Sequence, residues 1–535
     1  MYSYLCIGPG TFSFASYYGD NMVLEQAPQR AVIWGYTEKV GENITGTMHT
    51  TPIIITTVIS TYKPNVKGAV WRIVFPTQLP STTGIKVEVS RTNGQKISIS
   101  NVLFGDVWVC SGQSNMQFTL DMAFNATEEL EDAKNYPNIR VFTASEETSS
   151  VPELDLKGVE EIWSMPSKDT LGHKPWTYFS AVCWLYGKYL YQNLKVPIGL
   201  VSSTWGGTAI ELWSSTDALK KCNIPPDAQT KGYVTDHGWV RIGNSELWNA
   251  MMHPFINMTI KGVIWYQGEA NAGSPASYLC TFPTMINDWR EKFNQGNPEN
   301  DAMFPFGFVQ LAGYRNQTIK TGFPDIRWHQ TADMGYVPNP TLQKVFMAVA
   351  MDLPDFTSPE GSVHPRDKQD VAARLALSGL TVAYGKDQGN FQGPKISAFY
   401  IDIGFFTLCL EFDSSKTTLD VRSNNGFEVC CSRNNQSKCD GTDSTWMDTP
   451  IIKHDAHSVT LSYNGTCANK YVMGLRYAWQ ESPCEFKKCA VYITENNMPL
   501  APFVELGLIG KVHTEKYLRS NIPVHVTKDG GCSFN

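Results

Sequence analysis

Apolar residues occur along this chain in short runs, and the spacing of the runs changes twice. Up to about residue 100 the runs are brief and are separated by Gly, Pro and Asn turns, a pattern typical of β-strands. Expected strands lie at residues 31–34, 51–60, 71–75 and 86–89. Residues 1–100 are therefore predicted to form an N-terminal, β-sandwich-like region.

From residue 101 to about 390, apolar runs alternate with helical patterns. Expected strands lie at residues 107–110, 196–201, 262–266, 306–311 and 345–350, and expected helices at residues 181–194 and 277–293. Strands that alternate with helices predict an α/β fold with a doubly wound, mostly parallel sheet. Residues 221–238 have neither pattern and are expected to form a long irregular connection.

The pattern returns to β from about residue 391, with expected strands at residues 405–412 and 458–463. This C-terminal region, residues 391–535, is rich in cysteine. Of thirteen cysteines, eight lie there: Cys409, Cys430, Cys431, Cys439, Cys467, Cys484, Cys489 and Cys532. Their number favours disulfides and an oxidising compartment, whereas a zinc site is disfavoured because paired histidines are missing. The odd count leaves at least one thiol unpaired or in an intermolecular bond, and Cys110, next to the buried strand, is expected to be a free core cysteine.

Composition excludes several classes of function. The net charge of −7 argues against a surface for nucleic acid or anionic membranes. No run reaches the ~20 apolar residues of a membrane span. Six glycosylation acceptors favour the secretory pathway, namely Asn43, Asn125, Asn257, Asn316, Asn435 and Asn464. Residues 1–10 lack the basic and apolar segments of a signal peptide, so a cytosolic form is the alternative expectation.

Chemistry is expected where the parallel strands end, since ligand sites of such sheets lie beyond the carboxyl ends of their strands. The buried strand at 107–110 stops in Ser111-Gly112-Gln113-Ser114. Met116, Leu120 and Ala123 then recur at helical spacing, which predicts that Ser114 stands at the start of a helix. A serine hydroxyl in that place is a candidate nucleophile.

Three further strand ends supply groups that suit a serine hydrolase. Gly206 and Gly207 follow the second strand, Gln267 follows the third, and His364 lies in a loop after the last. The backbone N–H groups of Ser114 and Gly207 and the amide of Gln267 are candidate donors to an oxyanion. His364 precedes Pro365, which is expected to be the first helical residue, and is the candidate general base.

At this point the chain resembles a known family. The blocks Ser111-Gly112-Gln113-Ser114-Asn115-Met116, Ser203-Thr204-Trp205-Gly206-Gly207-Thr208, Trp265-Tyr266-Gln267-Gly268-Glu269-Ala270-Asn271 and His364-Pro365-Arg366-Asp367-Lys368 are similar in kind and order to those of the sialate O-acetylesterases, within the SGNH hydrolases. The resemblance extends from about residue 12 to residue 503.

The resemblance implies hydrolysis of O-acetyl esters of sialic acids, free or on glycoconjugates, chiefly at the 9-position, with no metal or organic cofactor. It implies that Ser114 is the nucleophile, His364 the base and acid, and Gly207 and Gln267 the oxyanion donors. It also implies a lysosomal or secreted protein. The SGNH-type catalytic domain would span residues 101–390.

One position departs from the family pattern. SGNH hydrolases usually carry an acidic residue two or three positions before the histidine, and this chain has Ser362 and Gly361 there. The group that orients His364 is therefore left open among a backbone carbonyl, Ser362, Asp352 and Asp355. A serine–histidine dyad remains workable, since the third group orients the imidazole without taking the proton.

A sialic acid also carries a carboxylate, for which arginine is the usual bidentate partner. Arg327 lies in a segment that the resemblance covers and is the first candidate, and Arg366, close to His364, is the second. Two other functions stay open. The chain could be an acetylesterase for other acetylated glycans, or a catalytically weak sialic-acid-binding protein of the same fold.

Overall fold

The computed structural model separates into two compact units. It describes residues 12–49, 52–56, 68–225, 229–235, 238–402, 405–413, 418–433, 439, 444–467, 470–507, 516–517 and 523–527. Unit 1 contains the described residues up to Ala270, with Cys280–Phe308 and Lys368–Ala376. Unit 2 contains Asn271–Leu279, Val309–Asp367 and the described residues from Leu377 onward. The three regions expected from the sequence stay a prediction.

The elements follow one another in this order. The strands up to residue 350 are β1 Ser13–Phe14, β2 Val23–Glu25, β3 Val32–Thr37, β4 Ile44–His49, β5 Pro52–Thr56, β6 Ala69–Val74, β7 Ser81–Arg91, β8 Lys96–Gly112, β9 Ile139–Ala144, β10 Val159–Ser164, β11 Ile198–Thr204, β12 Gln229–Thr235, β13 Gly238–Gly243, β14 Gly262–Tyr266, β15 Phe306–Gln310 and β16 Val345–Val349. The later strands are β17 Ile396–Asp402, β18 Thr407–Phe412, β19 Leu419–Val421, β20 Phe427–Ser432, β21 Ser444–Asp448, β22 Ile451–His454, β23 Ser458–Ser462, β24 Tyr471–Tyr477, β25 Val491–Ile493, β26 Phe503–Leu506, β27 Lys516–Tyr517 and β28 Pro523–Thr527. The α-helices are α1 Ser114–Gln117, α2 Ala126–Asp132, α3 Lys168–Leu171, α4 Ala181–Leu194, α5 Thr216–Lys221, α6 Tyr278–Gly296, α7 Phe323–His329 and α8 Lys368–Tyr384. Short 3-10 turns lie at Leu120–Met122, Ala133–Asn135, Ile210–Trp213, His253–Asn257, Glu269–Asn271 and Pro275–Ser277, with a π-helical turn at Trp248–Met252.

The core of unit 1 is a mixed, mostly parallel sheet in the order β10-β9-β11-β8-β14-β15. Strands β9, β11, β8, β14 and β15 run parallel, and β10 pairs antiparallel with β9 at the edge. The side chains of Val107, Trp108, Val109 and Cys110 are all 0% exposed. A strand of a parallel sheet that is buried on both faces has a continuous apolar sequence, as this one does. The predicted alternation of buried strands and helices is confirmed for this unit.

Strand β8 joins two sheets. Residues 96–104 pair antiparallel with β7, and residues 106–112 pair parallel with β11 and β14. Strand β7 also pairs with β4, and β4 with β5, while β1, β3 and β6 form a small sheet of their own. The expected strands of the N-terminal region are thus found, although residues 51 and 57–60 of one of them lie outside the described residues. The expected boundary at residue 100 falls inside β8.

Unit 2 contains the later β-strands. They form a six-stranded sheet in the order β22-β23-β18-β17-β28-β27, a four-stranded sheet in the order β21-β20-β24-β26, and the pair β19–β25. Strands β18 and β23 are the two that the apolar pattern predicted. The described residues from Ile396 onward are thus mainly β-strand, and the bounds 391–535 of the expected region stay a prediction.

Two local predictions were wrong. The helix after Ser114 ends at Gln117, because Phe118 is extended with ψ of 120°. The break lets Phe118 and Leu120 both be fully buried, and Thr119 forms a bridge with Ser180. The expected irregular connection at residues 221–238 contains strand β12, which pairs with β13 as an antiparallel hairpin, while residues 226–228 and 236–237 lie outside the described residues.

Disulfides are found in both units. The pairs are Cys110–Cys183, Cys222–Cys280, Cys430–Cys439, Cys431–Cys467 and Cys484–Cys489. Cys409 is disulfide-bonded as well, and Cys532 lies outside the described residues. The expectation of a free thiol at Cys110 was wrong, since its sulfur joins β8 to α4. Within the described ranges, no helix has both the length and the apolar character to cross a membrane.

The edge strand β10 carries a buried carboxyl group, Glu161, which is 7% exposed. Burial raises its pKa from 4.5 to about 8, against the opposing effect of a hydrogen bond from the Thr143 hydroxyl. A carboxyl whose pKa is raised in the folded state stabilises the fold at low pH. That contribution is complete below about pH 4.5 and is lost as the pH rises through about 8.

We therefore expect Glu161→Gln, which stays neutral, to become progressively more stable than the wild type between pH 5 and pH 9. Linkage sets an upper limit of about 5 kcal/mol on the difference. Thermal unfolding across this pH range measures it. Substitution of the adjacent, exposed Glu160 by Gln is the control and should leave the wild-type pH profile nearly unchanged. Parallel profiles for Glu161→Gln and the wild type would contradict the assignment.

Candidate active site

Three neighbouring parallel strands of unit 1 end at residues that are in register with one another. Gly112 at the end of β8 is in register with Thr204 of β11 and Tyr266 of β14. Its φ of +142° belongs to glycine, and a Cβ there would lie 2.2 Å from the Tyr266 carbonyl oxygen. The next backbone N–H, that of Gln113, donates to the same carbonyl at 3.0 Å. Gly112 thus allows the chain to turn directly after the strand and to present Ser114.

Ser114 is half-buried and lies between two buried amide side chains. Gln113 Oε1 accepts the Ala270 N–H at 3.2 Å and, at a longer 3.4 Å, the Gly268 N–H. Asn115 Nδ2 donates to Glu269 Oε1 at 2.6 Å. Both neighbours of the serine are therefore fastened to the loop that follows β14. Sequence reasoning gave these amides no role.

The loop after β11 lies against Ser114. A Cβ on Gly206 would come within 3.4 Å of Ser114 Cβ and 3.0 Å of Gln117 Oε1. The Gly206 N–H donates to Gln117 Oε1 at 2.8 Å, and Gln117 Nε2 donates to Glu146 Oε1 at 2.8 Å. Gly207 has a φ of +72°, in the left-handed region that favours glycine. The loop can approach the serine closely because both residues lack side chains.

Gln267 ties the third strand end to this glycine loop. The side chain is 0% exposed, and its Nε2 donates to the Thr208 carbonyl at 3.1 Å. The Thr208 hydroxyl in turn donates to the Trp205 carbonyl at 2.7 Å. Unit 1 therefore brings together the loops of Ser114, Gly207 and Gln267, as the strand-end rule predicted. Their roles as nucleophile and oxyanion donors stay predictions.

A buried lysine completes the surroundings of Asn115. Lys368, at the start of α8, is 0% exposed and donates from Nζ to Asn115 Oδ1 at 2.7 Å. Lys368 is the last residue of the His364–Lys368 motif, yet nothing in the motif indicates that it is buried. A lysine at the first position of a helix is ordinarily solvated, so sequence alone did not single it out.

His364 belongs to unit 2, where its orientation is defined by the backbone. Its Nδ1 lies 2.7 Å from the Glu360 carbonyl oxygen. Because a carbonyl only accepts, Nδ1 carries the proton in this bond, and the neutral imidazole keeps its lone pair on Nε2. The Ser358 hydroxyl donates to the His364 carbonyl at 2.7 Å. Of the orienting groups left open by the sequence, the structure favours a backbone carbonyl.

The two aspartates considered for that role have other partners. Asp355 forms a bidentate pair with Arg366, with distances of 2.6 Å to Nε and 3.0 Å to Nη2. Burial opposes ionisation of Asp355, but the Arg366 hydrogen bonds outweigh it and lower the pKa of the carboxyl. Asp352 accepts a hydrogen bond from the Tyr492 hydroxyl at 3.1 Å. The expectation that Pro365 is the first helical residue was wrong, because α8 begins at Lys368.

Arg327 occupies a different kind of place from the one expected. It is 0% exposed, and its guanidinium donates to the carbonyls of four residues at 2.7–2.8 Å: Leu311, Ala312, Gln480 and Glu481. A side chain held in this way joins two backbone segments of unit 2. The structure thus assigns Arg327 to the framework rather than to a substrate carboxylate.

The predicted glycosylation acceptors are mostly accessible. Asn43, Asn125, Asn316 and Asn464 are exposed, Asn257 is half-buried, and Asn435 lies outside the described residues. In the described part of the chain, no group of three or more His, Cys, Asp or Glu side chains is placed to hold a metal ion.

The mostly parallel sheet, with helices between its strands and a serine turn at the strand ends, places unit 1 in the α/β class. Residues 104–358 match the family described as carbohydrate esterase, sialic acid-specific acetylesterase, and residues 397–507 match the sialate O-acetylesterase C-terminal domain. The chain is 41% identical to a sialate O-acetylesterase of Mus musculus, over 92% of this chain and 94% of that one. It is also 41% identical to a sialate O-acetylesterase of Homo sapiens, over 92% of each chain. The chain belongs to the sialate O-acetylesterase family.

A solved structure has the same fold over nearly its whole length. It is a carbohydrate acetylesterase from Xanthomonas citri, which superposes with a TM-score of 0.73 at 25% sequence identity. The alignment covers 92% of this chain and 99% of that one.

We expect Gly112→Ala to destabilise unit 1 by more than about 2 kcal/mol, because the new Cβ meets the Tyr266 carbonyl in a backbone conformation that alanine disfavours. Chemical denaturation measures the loss. Gly19→Ala is the matched control, since a Cβ there has no neighbour within 4 Å. Equal stability of the two variants would show that the turn after β8 does not depend on glycine.

Proposed function

We propose that the protein is a serine esterase that hydrolyses O-acetyl esters of sialic acids, chiefly at the 9-position, and releases acetate. The observation that carries the proposal is the placement of Ser114. It stands at the common end of three parallel strands, between two buried amides and against a glycine loop. The names of the Mus musculus and Homo sapiens relatives support the choice of substrate.

In the proposed reaction, Ser114 Oγ attacks the acetyl carbonyl carbon and His364 Nε2 takes the serine proton. The proton then passes to the leaving sugar hydroxyl, and water hydrolyses the acetyl-enzyme by the same route. The N–H groups of Ser114 and Gly207 and the amide of Gln267 stabilise the oxyanion, each worth about 10²–10³ in rate. The chemistry takes no metal or organic cofactor.

The Glu360 carbonyl serves the imidazole in a different way from a carboxylate. It fixes the tautomer with Nε2 unprotonated, which is what a base needs. It stabilises the imidazolium through a dipole rather than a full negative charge, so this stabilisation is smaller. The proposal is therefore a serine–histidine dyad with a backbone orienter.

Two other functions have specific tests. Deacetylation of other acetylated glycans is the alternative within the same chemistry, and the Xanthomonas citri carbohydrate acetylesterase supports it. A panel of acetylated sugars decides, with fastest acetate release expected from 9-O-acetyl sialic acid. A catalytically weak sialic-acid-binding protein would instead bind these sugars without measurable turnover.

We also propose that the protein resides in the lysosome or outside the cell, because its disulfides need an oxidising compartment. Glycans at the exposed acceptors should shift its electrophoretic mobility, and endoglycosidase treatment of the natural protein should reverse the shift. Asn43→Gln, Asn125→Gln, Asn316→Gln and Asn464→Gln should each remove part of it. Insensitivity to endoglycosidase would favour the cytosolic alternative.

We expect Ser114→Ala and His364→Ala each to reduce acetate release from 9-O-acetyl sialic acid by at least about 10³-fold at equal folded yield, because each removes a reacting group. Ser111→Ala is the matched control. This substitution removes the hydroxyl of Ser111, a residue that is 0% exposed. Ser111 lies near the end of β8, whereas Ser114 begins α1. Unchanged hydrolysis by Ser114→Ala would refute the mechanism.

A further inference from the structure

Lys368 is a cation buried in unit 1. Its Nζ lies 4.5 Å from the ring centroid of Phe118 and 5.4 Å from that of Tyr266, and it donates to Asn115 Oδ1 at 2.7 Å. Removing an ammonium group from water costs several kcal/mol unless partners replace its hydration. Two aromatic faces and an amide oxygen are such partners. The desolvation cost of burying this cation next to the residue that follows the proposed nucleophile suggests that Lys368 has a function.

The Asn115 amide links this cation to an anion. Its oxygen accepts from Lys368, and its nitrogen donates to Glu269 Oε1 at 2.6 Å. An ammonium group can only donate and a carboxylate can only accept, so the amide has a single orientation that satisfies both. Charge at each end strengthens both hydrogen bonds. Asn115 is therefore held at both ends of its side chain.

We propose that Lys368 is a positioning residue for the esterase reaction: by holding Asn115 it fixes the backbone of Ser114, and with it the direction of the serine Oγ and N–H. This inference rests on the proposed function of Ser114. Gln113 secures the turn on the other side of the serine through the Gly268 and Ala270 N–H groups. Since small displacements of a reacting group cost up to about 10²-fold in rate, such fixation is catalytically significant.

The position of Lys368 in the chain adds to the argument. It follows the proposed base, His364, by four residues. One short segment therefore carries both the base and the side chain that secures the nucleophile turn. A change at Lys368 is expected to act on catalysis rather than on recognition of the sugar.

The test uses Lys368→Met, which keeps the length of the side chain and removes its charge. We expect kcat to fall about 10- to 100-fold, with KM nearly unchanged. The factor should be the same for 9-O-acetyl sialic acid and for 4-nitrophenyl acetate. Labelling of Ser114 by a fluorophosphonate, followed by mass spectrometry, should slow by a similar factor. Lys368→Gln, which can still donate to Asn115, should recover part of the loss.

Lys188→Met is the matched control. Lys188 is also a buried lysine of unit 1, pairs with Glu129 and Asp132 at 2.7 Å each, and lies 5.3 Å from the Tyr136 ring centroid. We expect both substitutions to lower the melting temperature, because each removes a buried cation with its partners. Lys188→Met should nevertheless leave kcat and Ser114 labelling at wild-type values. The control separates loss of a buried cation from loss of positioning.

Glu269→Gln tests the same chain of contacts from its other end, and it stays informative if Lys368→Met folds poorly. It should lower kcat and Ser114 labelling in the same direction. Combined with Lys368→Met, it should cost less than the product of the two single effects, because both act through Asn115. Independent, multiplicative effects would overturn the inference.

Two further results would overturn it. One is wild-type kcat and labelling in folded Lys368→Met. The other is a loss confined to the sialic acid substrate, which would make Lys368 a group for sugar recognition. Failure of the proposed function is recognised separately. It would appear as absent Ser114 labelling in the wild type, or as full hydrolytic activity of the Ser114→Ala variant. That result would remove the basis of the inference as well.

Discussion

The parallel ladder that β8 makes with β11 and β14 is the constraint on which the site depends. It places Thr204, Gly112 and Tyr266 side by side, so that three loops start from one line. Had β8 slipped by one residue, every side chain of the strand would change face. A slip would bring the large Trp108 side chain into the space of a smaller neighbour on the opposite buried face, so the close packing of Val107–Cys110 opposes it. The precision of the serine turn is thus inherited from the hydrophobic core beneath it.

The packing around β8 strengthens this constraint. Trp108 meets the Tyr186 ring of α4 edge-on, with centroids 5.2 Å apart. The Cys110–Cys183 disulfide joins the same strand and helix. At its other end, β8 continues into the antiparallel ladder with β7. One strand therefore belongs to two sheets and is covalently linked to a helix, which makes it a rigid base for the Ser114 turn.

Local patterns in the sequence predicted the buried strands, although they missed the end of α1 at Gln117 and the β12–β13 hairpin, and they did not reveal contacts between residues far apart along the chain. The buried strands, the helix at α4 and the glycines at the strand ends follow from apolar periodicity and backbone freedom, which neighbouring residues determine. The roles of Arg327 and Lys368 depend on contacts with residues far away along the chain. Lys368 and Asn115 are separated by 253 positions, and Cys110 and Cys183 by 73. No periodicity reports such pairs, so a buried lysine looked solvated and a bonded cysteine looked free.

The distribution of charge around the proposed dyad is unusual and internally consistent. In the common serine–histidine–aspartate arrangement, a buried carboxylate holds the base. Here a neutral carbonyl holds His364, and the nearby carboxylate of Asp355 is neutralised by Arg366. In unit 1, the buried Lys368 and the half-buried Glu269 lie on either side of Asn115, next to the proposed nucleophile. Lys368 and Glu269 carry opposite charges, so the turn is held without adding a net charge beside the serine. Opposite charges thus flank the amide next to the proposed nucleophile, whereas a backbone carbonyl accepts the hydrogen bond from the proposed base.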